Sequence, residues 1–121
     1  DIGCGAGVDA IIAAMMAGPT GSVTGLELVP EMLARAQENV RLAGAPPIEF
    51  KEGGAEALPC PDNSFDVVIS NGVFNLVVDK LKALQEVFRV LRPGGRFLLA
   101  DQVLAGALPQ EVQAQVESWA R

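Results

Sequence analysis

The sequence predicts a parallel α/β sheet, and three observations predict it. Strand-like and helix-like segments alternate along the whole chain. The run Phe65–Ser70 is apolar throughout after Asp66, the pattern of a strand covered on both faces. The chain opens on Asp1-Ile2-Gly3-Cys4-Gly5-Ala6-Gly7, a strand end that runs into a glycine-rich turn and then directly into an apolar, helix-forming segment.

The elements follow in order. Val8–Ala17 is a helix closed by Gly18-Pro19. Its apolar character nearly all round predicts close packing on a sheet, with Met15 and Met16 filling core. Ser22–Leu28 reads as a strand. Pro30 suits the first position of the next helix, with Glu31 in its first turn. Met32, Leu33, Ala36 and Val40 fall at helical spacing, and Glu31 and Arg35 form an i,i+4 pair. Gly44 and Pro46-Pro47 end that helix, and Ile48–Lys51 is a short strand. A loop from Glu52 to Ser64, with Asp62-Asn63-Ser64 as its closing turn, leads into the strand Phe65–Ser70. Asp79 is a helix N-cap, and Leu81, Leu84, Phe88 and Leu91 predict the buried face of an amphipathic helix. Pro93-Gly94-Gly95 breaks it, and Arg96–Asp101 is the last strand. The tail has Pro109 at a helix start and Val112, Val116 and Trp119 on one stripe.

Composition narrows the function. The chain has 121 residues, one domain's worth, half of them hydrophobic and a fifth charged. Net charge is −6 with no basic cluster, which argues against nucleic acid as partner. There is no histidine, so a histidine general base is excluded within the chain. Cys4 and Cys60 provide neither a disulfide framework nor zinc spacing, and no metal site is expected. No apolar run is long enough to span a membrane and no leader peptide is visible, so the expected location is the cytoplasm.

The glycine turn has the spacing G-x-G-x-G. Val8 stands where G-x-G-x-x-G would need its third glycine, which disfavours a nicotinamide dinucleotide, and no P-loop occurs. Glycines let backbone approach a ligand, and the helix behind them offers unpaired N–H groups. Glu27 ends the second strand about 20 residues after Gly7, the offset of an acid that accepts ribose hydroxyls. A glycine turn alone is only a turn; joined to this acid it points to cofactor binding. In an open α/β sheet ligands sit beyond the carboxyl ends of strands. Asp1 to Gly7, Glu27, the loop Gly54-Ala55-Glu56 and Asn71 all follow strands.

Asp1-Ile2-Gly3-Cys4-Gly5-Ala6-Gly7 resembles the first motif of the class I S-adenosylmethionine-dependent methyltransferases. So do Leu26-Glu27-Leu28, the run from Glu56-Ala57-Leu58-Pro59 to Asp62-Asn63-Ser64-Phe65-Asp66, and Val90-Leu91-Arg92-Pro93-Gly94-Gly95. The resemblance implies a Rossmann-like, doubly wound, mostly parallel sheet in three layers, α/β/α. It implies that Gly3, Cys4, Gly5 and Gly7 shape the pocket for the methionine end of S-adenosylmethionine, with Asp1 near its amino group. It further implies that Glu27 takes the ribose, Leu28 covers the adenine, Gly54, Ala55 and Glu56 line the adenine edge, and Asn71 lies beside the methionine moiety. Many members carry Asp where this chain has Gly54.

Ile69-Ser70-Asn71-Gly72-Val73-Phe74-Asn75-Leu76, then Asp79-Lys80, resembles the arsenite methyltransferase branch, as does the tail from Leu108-Pro109 to Ser118-Trp119-Ala120. That branch holds arsenic through three cysteines. One normally sits where this chain has Gly72, one just after the position of Arg121 and one before residue 1. Cys4 reads instead as a small packed residue and Cys60 as structural.

The expectation is therefore an enzyme, a methyltransferase for a small-molecule acceptor, formed as one domain over residues 1–121. It is expected to lack most of the first strand and the final strands of the family, and to nominate no acid–base pair of its own. The alternative is a catalytically incomplete cofactor-binding or interaction module. If residues 1–121 are the whole protein, the exposed sheet edges predict a homo-oligomer.

Overall fold

The computed structural model describes residues 1–107 and 109–119. The expectations for Leu108 and Ala120, and for the side chains of Val116 and Trp119, lie outside the described residues. The elements run α1 (Val8–Ala17), β1 (Thr24–Glu27), α2 (Pro30–Ala43), β2 (Glu49–Glu52), β3 (Phe65–Asn71), a short 3-10 turn (Phe74–Leu76), α3 (Lys80–Val90), β4 (Leu91–Ala100) and α4 (Gln110–Trp119).

β1 pairs with β2 and β3 with β4, both in parallel. Ile2 joins the two pairs by bridging Leu26 of β1 and Ser70 of β3. The Ile2 amide donates to the Ile69 carbonyl at 2.9 Å, and the Leu26 amide donates to the Asp1 carbonyl at 2.9 Å. The strand order is thus β2-β1-Ile2-β3-β4. The chain leaves the centre on one side, then returns past it to build the other, which is the doubly wound arrangement the sequence predicts.

Local signals set most boundaries. Pro30 opens α2 and Gly44 closes it, with Arg41 in the last turn. The Asp79 carboxylate caps α3 by accepting from the Lys82 amide at 3.0 Å. The Gln113 amide donates to the Pro109 carbonyl at the start of α4. The expected Glu31–Arg35 pair is not formed; Arg41 instead donates to Glu38 one turn earlier on its own helix. β4 starts earlier than predicted, because Leu91 already faces Phe65 while Arg96 faces Val67. Arg92 to Gly95 bulge out between those two pairings.

The core is Ile2, Leu26, Ala55, Leu58, Cys60, Val68, Phe74, Ala83, Val87 and Val90. It corrects the predicted face of α3. Ala83, Val87 and Val90 are buried, whereas Leu81, Leu84 and Phe88 are exposed, Phe88 at 83%, and Leu91 belongs to β4. Both sets recur at helical spacing, so periodicity cannot choose between them. The smaller side chains let α3 lie close on the sheet, and Arg89 fixes the choice. Its guanidinium donates to the Leu58 carbonyl at 3.0 Å, the Cys60 carbonyl at 2.8 Å and Asp62 at 2.8 Å, and it bonds Glu86 on its own helix. The α3 face bearing Arg89 is thereby tied to the loop before β3.

α1 also departs from expectation. It buries Ala10 and Ala14 but leaves Val8, Ile12, Met15 and Met16 exposed, so the two methionines are not core fillers. Val67 of β3 is correspondingly 42% exposed, and that strand is not covered on both faces.

Val87→Ala is expected to lower stability by about 1–3 kcal/mol, the loss of buried methyls plus residual cavity. Phe88→Ser should stay within about 0.5 kcal/mol. Urea denaturation of both variants checks the face assignment, and the opposite ranking would overturn it.

Candidate functional site

The loop Gly3 to Gly7 leaves the sheet at the point where its strand order reverses. Gly3, Gly5 and Gly7 all have left-handed backbone, φ 66°, 52° and 90°. The Cys4 amide donates to the Leu26 carbonyl at 2.8 Å and the Gly7 amide to the Cys4 carbonyl at 2.9 Å, closing the turn. A side chain on Gly3 would overlap Val73. A Cβ on Gly7 would stand 3.1 Å from that of the fully buried Ala36, so α2 packs directly on the loop. A Cβ on Gly5 would meet only the Met32 Cε, at 3.7 Å, so a side chain there would project into nearly open space. Gly7 caps α1 without a side-chain bond, which leaves the first amides of that helix available.

Around the loop stand most of the residues singled out in the sequence. Asp1 has a buried carboxylate oxygen, Oδ2, with no hydrogen-bond partner among the described residues. Glu27 ends β1 with its carboxylate in no hydrogen bond or ion pair among the described residues, and its charge raises the pKa of the Cys4 thiol. Burial is the larger cause of that rise. Leu28, 66% exposed, follows at the strand tip, and Gly54 lies against it, where a Cβ would come 3.3 Å from Leu28 Cδ2. Asn71 ends β3.

Three of the predicted positions are turned elsewhere. The Cys4 thiol is buried, near enough to Gly25 that a Cβ there would come 3.2 Å from the sulfur. Ala55 belongs to the hydrophobic core. The Glu56 carboxylate accepts from the Asp79 amide at 3.3 Å, holding the approach to α3. Cys60 is buried in the core as well.

The structure adds residues that sequence reasoning missed. Asn39 Nδ2 donates to the Ala6 carbonyl at 2.9 Å, pinning the glycine loop from α2. Its helical spacing from Ala36 was a usable signal. Asp9, in the first turn of α1, accepts from Asn71 at 3.2 Å. Asp101 accepts from the amides of Asn75 at 3.0 Å and Gln102 at 2.7 Å, so it ties the turn after β3 to the end of β4. Beside it lies a cavity of about 390 Å³ lined by Asn71, Gly72, Asn75, Ala100, Asp101 and Gln102.

This geometry meets an independent finding: the family model of the methyltransferase domain matches residues 1–121, the whole sequence. The chain belongs to the methyltransferase domain family. It is 43% identical over 118 residues to an arsenite methyltransferase of Halobacterium salinarum, covering 98% of this chain and 30% of that protein. It is 42% identical over 102 residues to a demethylmenaquinone methyltransferase of Listeria welshimeri, covering 84% of this chain and 43% of that one. Among solved structures, the arsenic(III) S-adenosylmethionine methyltransferase of Chlamydomonas reinhardtii superposes with a TM-score of 0.85 at 40% identity. That match covers 94% of this chain and 41% of the other. The methyltransferase chain thus spans less than half the length of each of these three relatives. Its fold is the Rossmann-like core of the class I S-adenosylmethionine-dependent methyltransferases, and S-adenosylmethionine is the family's cofactor. The residues present fit that cofactor. An open glycine loop, an Asp1 oxygen and a Glu27 carboxylate without partners among the described residues, and an exposed apolar Leu28 are groups of the kinds it needs.

The loop bearing Gly54 to Glu56 depends on α3 through Glu86 and Arg89. The Arg89 hydrogen bond holds the Glu86 carboxyl below its ordinary value, and the Leu58 amide donates to it as well. The folded pKa is lowered, so the stabilisation is complete above the ordinary glutamate value and is lost as pH falls through the lowered one. Acid unfolding followed by circular dichroism should show a step in that range which Glu86→Gln removes. An unaltered acid profile in the variant would show that the pair does not contribute.

Proposed function

We propose that this domain, as a single unit over residues 1–121, binds S-adenosylmethionine over the Asp1–Gly7 loop and directs its methyl group to a small-molecule acceptor. The observation that carries the reading is the unpaired Glu27 carboxylate at the tip of β1, beside a glycine loop whose backbone is open to a ligand. Both oxygens of a carboxylate accept, and a vicinal diol supplies two donors to them. Leu28 offers an apolar surface for the adenine, next to Gly54. Asp1 and Asn71 are assigned to the amino-acid end.

S-adenosylmethionine supplies a methyl group on a sulfonium, already an activated electrophile. What this chain contributes is placement: the loop fixed by Asn39 and Ala36, the ribose anchored by Glu27, and the acceptor admitted beyond β3 and β4. The cavity beside Gly72 and Asp101 is the proposed entry of the acceptor. Arsenic is not proposed as that acceptor. Gly72 occupies the position of one arsenic-binding thiol, and Cys4 and Cys60 are both buried.

Glu27→Ala is expected to weaken S-adenosylmethionine binding by roughly 1.5–3 kcal/mol, the range for a hydrogen bond to a charged group. Calorimetric titration measures this, and an unchanged dissociation constant in a folded variant removes the ribose assignment. Gly5→Val should abolish binding, because a branched side chain fills the ligand's space and resists φ 52°. Normal binding by that variant would make the loop purely structural.

A further inference from the structure

Asp9 and Asn71 are 62 residues apart in sequence, yet their side chains meet where the end of β3 faces the first turn of α1. Asn71 Nδ2 donates to Asp9 Oδ2 at 3.2 Å. An ionised carboxylate can only accept, so this contact decides which way the Asn71 amide faces. Its NH2 end is held toward α1, and its Oδ1 points away, with no hydrogen bond among the described residues. The Asp1 Oδ2 is a second acceptor with no donor among the described residues. Two acceptors are thereby left without a donor among the described residues, and the reading proposed above gives both to the amino-acid end of the cofactor. An ammonium group is the donor that such a pair recognises.

We propose that Asp9 is a positioning residue for the cofactor. By holding the NH2 end of Asn71 it keeps the Asn71 carbonyl oxygen available to the cofactor's ammonium group. Without Asp9 the amide is free to turn and offer donors to a cation, which is repulsive. The role rests on the S-adenosylmethionine reading of the site, and it is a role of Asp9 through Asn71 rather than of Asp9 on the ligand.

The test compares two ligands on the full chain by calorimetry: S-adenosylhomocysteine, and 5′-methylthioadenosine, which has the nucleoside and sulfur but no amino-acid end. Asp9→Ala should weaken S-adenosylhomocysteine about tenfold, as expected for one lost charged hydrogen bond, and leave methylthioadenosine within about twofold. The exchanged pair, Asp9→Asn with Asn71→Asp, should restore S-adenosylhomocysteine to within about threefold of the original. The amide introduced at position 9 can donate to the carboxylate introduced at position 71, which presents only acceptors. The proposal is overturned if Asp9→Ala binds S-adenosylhomocysteine normally, if it loses both ligands equally, or if the exchanged pair fails to recover binding. Should the unmodified chain bind neither ligand, the cofactor reading falls and this inference with it.

Discussion

The two halves of the sheet meet at Ile2, and the site depends on that junction. Ile2 is 3% exposed and has a parallel neighbour on each side. Strands in a sheet lie about 4.8 Å apart, so a single intervening residue sets the tips of β1 and β3 about 10 Å from one another. Glu27 and Asn71 stand at those tips, and the glycine loop leaves from between them. No local feature of the loop creates this spacing; it comes from the pairing of Ile2 with Leu26 and Ser70.

Around that junction the loops are held by side chains from the flanking helices. Asn39 reaches the Ala6 carbonyl from α2, and Arg89 reaches the Leu58 and Cys60 carbonyls from α3. These contacts matter more for geometry than for energy. An exposed ion pair such as Arg92–Asp66 contributes about 0–1 kcal/mol at most. A guanidinium that satisfies two loop carbonyls removes alternative paths for the loop between β2 and β3, because each carbonyl would otherwise have to find another donor. Asp101 does the same for the turn after β3. Glycine flexibility at the site is thus confined by polar contacts from outside it.

How much is legible in the sequence follows from the range of each signal. The glycine loop, the acid at the tip of β1, the caps at Asp79 and Gly44 and the helix start at Pro109 are local, and they hold in the structure. Met15, Met16, Leu81, Leu84 and Phe88 read as buried from the sequence and are exposed in the fold. Their helical periodicity is real, but α3 carries two apolar stripes, and composition does not say which one meets a sheet. The Asp9–Asn71 contact is invisible in the sequence for a related reason: its members lie 62 residues apart, and nothing local in either marks the other.

The alternation of elements, the glycine turn and the residue types available for binding are set locally, because they rest on backbone sterics and on neighbours within a turn or two of chain. Which face of α3 is inside, the burial of Cys4 and Ala55, the Glu56 contact to Asp79, and the contacts of Asn39, Asp9 and Asp101 come from the tertiary fold alone. Those outcomes depend on how helices lie on the sheet, and that is settled by close packing of small residues such as Ala36 and Ala83 and by polar groups that must find partners once buried.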